Sequence, residues 1–164
     1  MSKIKIDSSL EKLKSDYDTV REKFNLPSFS QLNEEFEIER IAEHETDMLL
    51  REIRKAITEK AVAFLRFLEL MINPTAAPFF LLSVIRYLGA SDKKLVQEIY
   101  RKVCEFEIKA IALDMKYNEK AEAAFIKESL KKWQAMHPEF QELSKAIDKA
   151  WNASFEKKER SYFG

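Results

Sequence analysis

The chain has 164 residues, with only two glycines and four prolines, and it is rich in Glu, Lys, Leu, Ala, Ile and Phe; starved of turn formers and full of helix formers, it points to an all-α fold. Lys plus Arg and Asp plus Glu balance at 28 each, which removes the global positive field that a nucleic-acid binder carries. The single Cys104 excludes an internal disulfide and a cysteine metal cage, and it fits a reducing compartment, so the expected location is cytoplasmic.

Twelve Phe, five Tyr and two Trp supply enough apolar area for a packed interior, and the length suits one domain. The start of the chain carries acids and no apolar core of signal-peptide length, so no secretion signal is expected. The longest uncharged stretch, Leu70 to Ile85, is interrupted by Asn73, Pro74 and Pro78 and falls short of the roughly 20 apolar residues that a membrane span needs. It reads as a core helical hairpin, and no membrane partner is expected.

In chain order, Asp7 or Ser8 can cap a first helix to about Phe24, with Leu10, Leu13, Tyr17, Val20 and Phe24 spaced by three and four. Asn25 to Ser28 is a turn, and Ser30 can cap a second helix that opens with glutamates at the positive end of its dipole. The helical pattern then persists from Gln31 to Ile72, about 40 residues, which predicts a break; Glu43 to Asp47 is the expected place, with Thr46 or Asp47 capping the new start.

Asn73-Pro74 ends that helix, and Thr75 can cap Ala76 to Leu88. Gly89 is expected as a left-handed stop and Ser91 as the cap of a helix reaching about Tyr117. Asn118 opens a helix to about Met136, and His137-Pro138 separates it from a last one with Phe140, Leu143, Ile147 and Trp151 on one face. The expected architecture is therefore an irregular, mostly antiparallel bundle of six or seven helices in a single domain, 1–155, followed by a charged and aromatic tail, 156–164, that is either frayed or docked by Tyr162 and Phe163.

Leu26-Pro27-Ser28-Phe29, Glu35 to Glu39, Leu49 to Arg54 and Phe125 to Glu128, with Asn73-Pro74 between them, resemble a group of uncharacterised archaeal helical proteins. The resemblance spans most of the chain and implies an archaeal cytoplasmic origin; it brings no activity, cofactor or site residue.

Two constellations carry the functional reading. Between Glu34 and Asp47 stand seven carboxylates against one Arg40, and Glu35, Glu39, Glu43 and Asp47 are spaced by four, which in an unbroken helix forms an acidic ridge. Such a ridge is a solvated face, a docking surface for a basic partner, or a weak divalent-cation site, the last requiring several carboxylates to converge. Secondly, Glu107 and Asp114 fall between two apolar stripes of their helix, one with Leu95, Ile99, Val103, Phe106, Ala110 and Leu113, the other with Tyr100, Cys104, Ile108, Ile111 and Met115. Arg54 and Lys60 interrupt the apolar arc of the helix after Asp47 in the same way. Unpaired charges in a core cost several kcal/mol, so these four are expected to meet as a buried ion network, with Arg54 on Glu107 or Asp114 the preferred pair.

The helix carrying both stripes is expected at the centre of the fold, packed on two faces. No catalytic residue, metal ligand or cofactor is assigned: there is no Glu-x-x-His pair, no His-Glu-x-x-His and no phosphate-cradling glycine loop. His44 and His137 read as a surface histidine and a helix terminus. Lys93, Lys94, Arg101, Lys102, Lys109 and Lys116 are interleaved with acids, which argues against a phosphate track. The favoured function is an interaction or scaffolding protein acting through protein–protein contacts, with an unknown and basic protein partner and a homodimer among its assemblies. The alternative is an RNA- or ribosome-associated factor, and the third reading an enzyme using Glu107 and Asp114.

Overall fold

The computed structural model describes the backbone of residues 2–162 and the side chains of residues 8–156. Among these residues every regular element is helical: α1 (Ser2–Phe24), α2 (Phe29–Phe36), α3 (Leu49–Ile72), α4 (Phe79–Tyr87), α5 (Ala90–Met115), α6 (Glu119–Ala135) and α7 (His137–Tyr162), with short 3-10 helices at Ile38–Glu43 and Pro74–Ala76. The fold is all-α, and no described helix is long and apolar enough to cross a membrane. Two compact units divide the chain: Met1–Ala61 with Phe106–Gln134, and Val62–Glu105 with Ala135–Gly164. The side chains of 157–164 and the backbone of 163–164, where docking by Tyr162 and Phe163 was one expectation for the tail, lie outside the described residues.

In the first unit α1 starts at Ser2, earlier than the caps at Asp7 or Ser8 suggest. It ends where Asn25 turns left-handed (φ 53°) and the amide of Leu26 donates back to the carbonyl of Arg21 at 3.1 Å, closing the last turn while Leu26 buries. The following turn is held by Tyr17, whose hydroxyl donates to the carbonyl of Pro27 at 2.6 Å and whose ring meets Phe29 edge-on at 5.7 Å. The α2 cap is Ser28, two residues before the expected Ser30. Its hydroxyl accepts from the amide of Gln31 at 3.2 Å and Gln31 returns a bond to the amide of Ser28 at 3.0 Å, so two otherwise orphaned donors are satisfied.

The long helix expected from Gln31 breaks earlier than Glu43. Leu32 and Phe36 bury on one face of α2, but Ile38, also buried, is only two residues on and would project from the opposite face of a continuous helix. Glu37 resolves the conflict by adopting the left-handed region (φ 53°, ψ 46°), its amide held by the carbonyl of Asn33 at 2.9 Å. The 3-10 helix after it buries Ile38 and Ile41 and packs on α1. Thr46 then accepts from the amide of Met48 at 3.0 Å just before α3, close to the expected restart.

In the second unit, α3 ends at Ile72 and the chain passes through the Pro74–Ala76 turn before α4 begins at Phe79. Thr75 bonds the side chain of Asn73 at 2.7 Å and caps nothing; Pro78, fixed in an extended conformation, precedes α4, and its carbonyl accepts from Leu81 and Leu82. Gly89 is not left-handed, contrary to expectation: among the described residues no glycine has positive φ. It stands just before α5, where the carboxylate of Asp92 accepts from its amide at 2.9 Å, so this acid takes the capping role expected of Ser91. Met136 alone separates α6 from α7. Along α7, Leu143, Ala150 and Ser154 bury against a unit in which α4 packs on α7 and Phe64 meets Phe140 at 4.9 Å.

The two stripes of α5 fare differently. Leu95, Ile99, Val103, Phe106 and Ala110 bury, whereas Ile108, Ile111 and Met115 stand in solvent and Tyr100 and Cys104 are half-buried. The helix is therefore covered along one face, and the expectation of packing on two is corrected.

Burial pushes the phenol of Tyr17 well above its ordinary value of 10.0, an effect the neighbouring Arg21 only partly opposes. The folded state thus keeps this proton to higher pH than the unfolded chain, so its contribution to stability is complete below pH 10.0 and is lost as pH climbs beyond it. Tyr17→Phe should cost about 1 kcal/mol at neutral pH, the worth of one hydrogen bond, and should flatten the alkaline limb of a stability-versus-pH curve measured by urea unfolding.

Candidate functional site: a buried arginine clamp

Arg54 projects from α3 inside the first unit and is 1% exposed. A guanidinium so placed has lost its water, so it requires acceptors with good geometry. The chain supplies them from both sides of one turn. Helix α5 stops at Met115, Asn118 caps α6 by accepting from the amide of Ala121 at 3.0 Å, and this reversal brings Asp114 and Glu122 to the same guanidinium. Nε of Arg54 donates to Oε2 of Glu122 at 2.7 Å, and Nη2 donates to Oδ1 of Asp114 at 2.5 Å. Glu122 is wholly buried; the Asp114 side chain is 60% exposed. The first turn of α6 adds its own positive dipole end to the stabilisation of the Glu122 carboxylate.

A second arginine borders the clamp. Nε of Arg51 lies 3.6 Å from Oε1 of Glu122, beyond hydrogen-bond range, and its guanidinium stacks over the ring of Tyr117 at 4.9 Å. Burial, with the carboxylates of Glu119 and Glu122, raises the Tyr117 phenol above its usual range against the opposing charges of Arg51 and Lys23. Lys23 in turn reaches Glu119 at 2.7 Å, and Lys127 donates to the carbonyl of Phe24 at 3.1 Å, tying the end of α1 to α6.

Of the expected network, the structure brings together Arg54 and Asp114. Lys60 turns instead to the backbone carbonyl of Glu35, anchoring α3 to α2. Glu107 is half-buried and makes no ion pair among the described residues. Glu122 was missed by sequence reasoning, which weighed charges only in α3 and α5. Its signal is present: with Ile126, Ser129 and Trp133 it forms a buried stripe spaced by four, three and four. Glu122 is sealed, Asp114 is held by Arg54 through one carboxylate oxygen while much of its side chain meets solvent, and Glu107 stands apart from both.

The acidic ridge is also corrected. Because the chain turns at Glu37, Glu35, Glu39, Glu43 and Asp47 do not line one helical face. Glu35 is half-buried at the end of α2, and Glu39 binds Asn33 through both its amide and its carboxylate. Arg40, the one cation of the run, pairs with Glu59 at 2.8 Å. Glu43, Glu45 and Asp47 remain exposed without an ion pair among the described residues, and two open clefts of about 360 and 300 Å³ flank them, sharing Ile41, His44, Glu45 and Thr46. No three His, Cys, Asp or Glu side chains among the described residues converge as a metal site. Three of the basic residues of α5 are tied to acids, Lys94 to Glu98, Lys102 to Glu139 and Lys109 to Glu128, the last holding the Glu128 carboxyl below its usual range.

No family model, curated protein or solved structure matches the chain. The site therefore speaks through its own geometry.

Removing one member of a sealed pair leaves an uncompensated charge, so Arg54→Ala should destabilise by about 3–5 kcal/mol. Arg54→Met combined with Glu122→Leu should recover most of that loss, because two apolar side chains need no partner; chemical denaturation of the three proteins checks it.

Proposed function

We propose that this chain is an interaction protein that works through protein–protein contacts. The observation that carries the reading is the large apolar side chains that two helices leave in solvent, Ile108, Ile111 and Met115 on α5 and Phe79, Phe80 and Leu82 on α4. Single exposed apolar residues are ordinary on a soluble protein, whereas runs of them on one element mark surfaces that something covers. The ionic clamp supports the same reading, since its charges are spent on holding three helical segments together.

The exposed acids of the segment between α2 and α3 supply the long-range component. Glu43, Glu45 and Asp47 concentrate negative potential on a chain whose net charge is zero, and such a patch steers a basic partner toward its docking orientation. Potential of this kind sets the rate of association and its salt dependence more than the lifetime of the complex.

The test is native-salt capture of partners by the tagged full chain, followed by association kinetics with the captured protein. A defined protein partner is the expected result. Reversal of Glu43, Glu45 and Asp47 to Lys should leave the thermal midpoint nearly unchanged while slowing association and flattening its salt dependence. Capture of RNA in place of protein, released by added salt, would transfer the chain to the nucleic-acid reading.

A further inference from the structure

Resting on the reading of the chain as an interaction protein, we infer that the outer face of α5 at Ile108, Ile111 and Met115 seats an amphipathic helix of a partner whose apolar stripe is bordered by basic residues. The three side chains are 65%, 53% and 84% exposed, and their spacing of three and four places them on one side of the helix, away from the buried Phe106 and Ala110. A face of this width and period is what a helix lays its own apolar stripe into.

The edges of the face define the occupant. Along one edge stand Glu107 and Asp114, seven residues apart and so two turns apart on the same side of the stripe. Glu107 is half-buried and carries no ion pair among the described residues; Asp114 is anchored by Arg54 through Oδ1 yet keeps 60% of its side chain in solvent. The other edge is opened by Ala112, a small residue that lets a second helix approach closely. A helix lying along this face meets carboxylates at a heptad interval on one border, and cations at that interval on its own border complete the pairing.

A second copy of the chain fits less well. Paired antiparallel, like edges would meet and Glu107 would face carboxylates; paired parallel, the acidic edge would face Ala112. A lipid surface of anionic headgroups would be repelled by the same acidic edge.

The experiment uses the full chain and two synthetic amphipathic helical peptides with an identical apolar face, one bordered by Lys and the other by Glu, with binding read by fluorescence anisotropy at low salt. The Lys-bordered peptide should bind about tenfold more tightly than the Glu-bordered one. Met115→Lys should abolish its binding, and Glu107→Lys, at a position that breaks no bond in the fold, should erase or reverse the preference while circular dichroism stays unchanged. Equal binding of both peptides, or binding untouched by Met115→Lys, would overturn the inference. So would sedimentation showing a dimer that Met115→Lys dissolves, because the face would then belong to a second copy. Retention of the captured native partner by the Met115→Lys protein would remove this face from the interaction and leave the broader reading standing.

Discussion

A guanidinium sealed from water imposes a condition that the surrounding chain has to meet. For Arg54, α3 must present it, α5 must end near Asp114, and α6 must begin so that Glu122 arrives from the far side of the Asn118 turn. If any of the three segments slips by a residue, a charge is left in the interior without a counter-charge, and the penalty is several kcal/mol. Apolar side chains packed around it could trade places at smaller cost. The clamp therefore ties the register of the three segments together, because loss of one partner alone strands a charge.

The segment between α2 and α3 answers to a different constraint. Phe36 and Ile38 both need burial, and a residue in the left-handed conformation between them is how the backbone satisfies both. A non-glycine residue held there costs about 1 kcal/mol or somewhat more, an expense that the burial of Ile38 and Ile41 offsets. The same turn scatters the acids that a straight helix would have aligned. The exposed acids of this region, Glu43, Glu45 and Asp47, consequently stand beside two open clefts instead of along one helical face.

Charge and apolar surface share α5. Lysines of α5 are engaged with Glu98, Glu128 and Glu139, so their positive potential is largely cancelled where it arises. Between Glu107 and Asp114 on one border and Ala112 on the other, the stretch the helix turns outward at Ile108, Ile111 and Met115 is apolar. The buried stripe of α5 carries its packing. Its outer stripe at Ile108, Ile111 and Met115 stays in solvent and adds little to that packing.

Composition and period alone determined the helical class, the approximate placement of seven helices and the presence of buried charge, because these depend on local propensity and on which positions recur every three or four residues. Asn118 as a cap and the turn after Phe24 were legible for the same reason. Arg54 with Asp114 could be inferred because each interrupts an apolar stripe; Glu122 was readable by that rule once α6 was given its own stripe. Three outcomes belonged to tertiary structure. The break at Glu37 arises from two buried side chains competing for one face, Gly89 serves α5 without turning left-handed because Asp92 supplies the cap, and the outer stripe of α5 stays exposed because burial depends on which elements arrive to cover it. An apolar stripe in a sequence states that a helix is able to bury that face, and only the packing of the other elements decides whether it does.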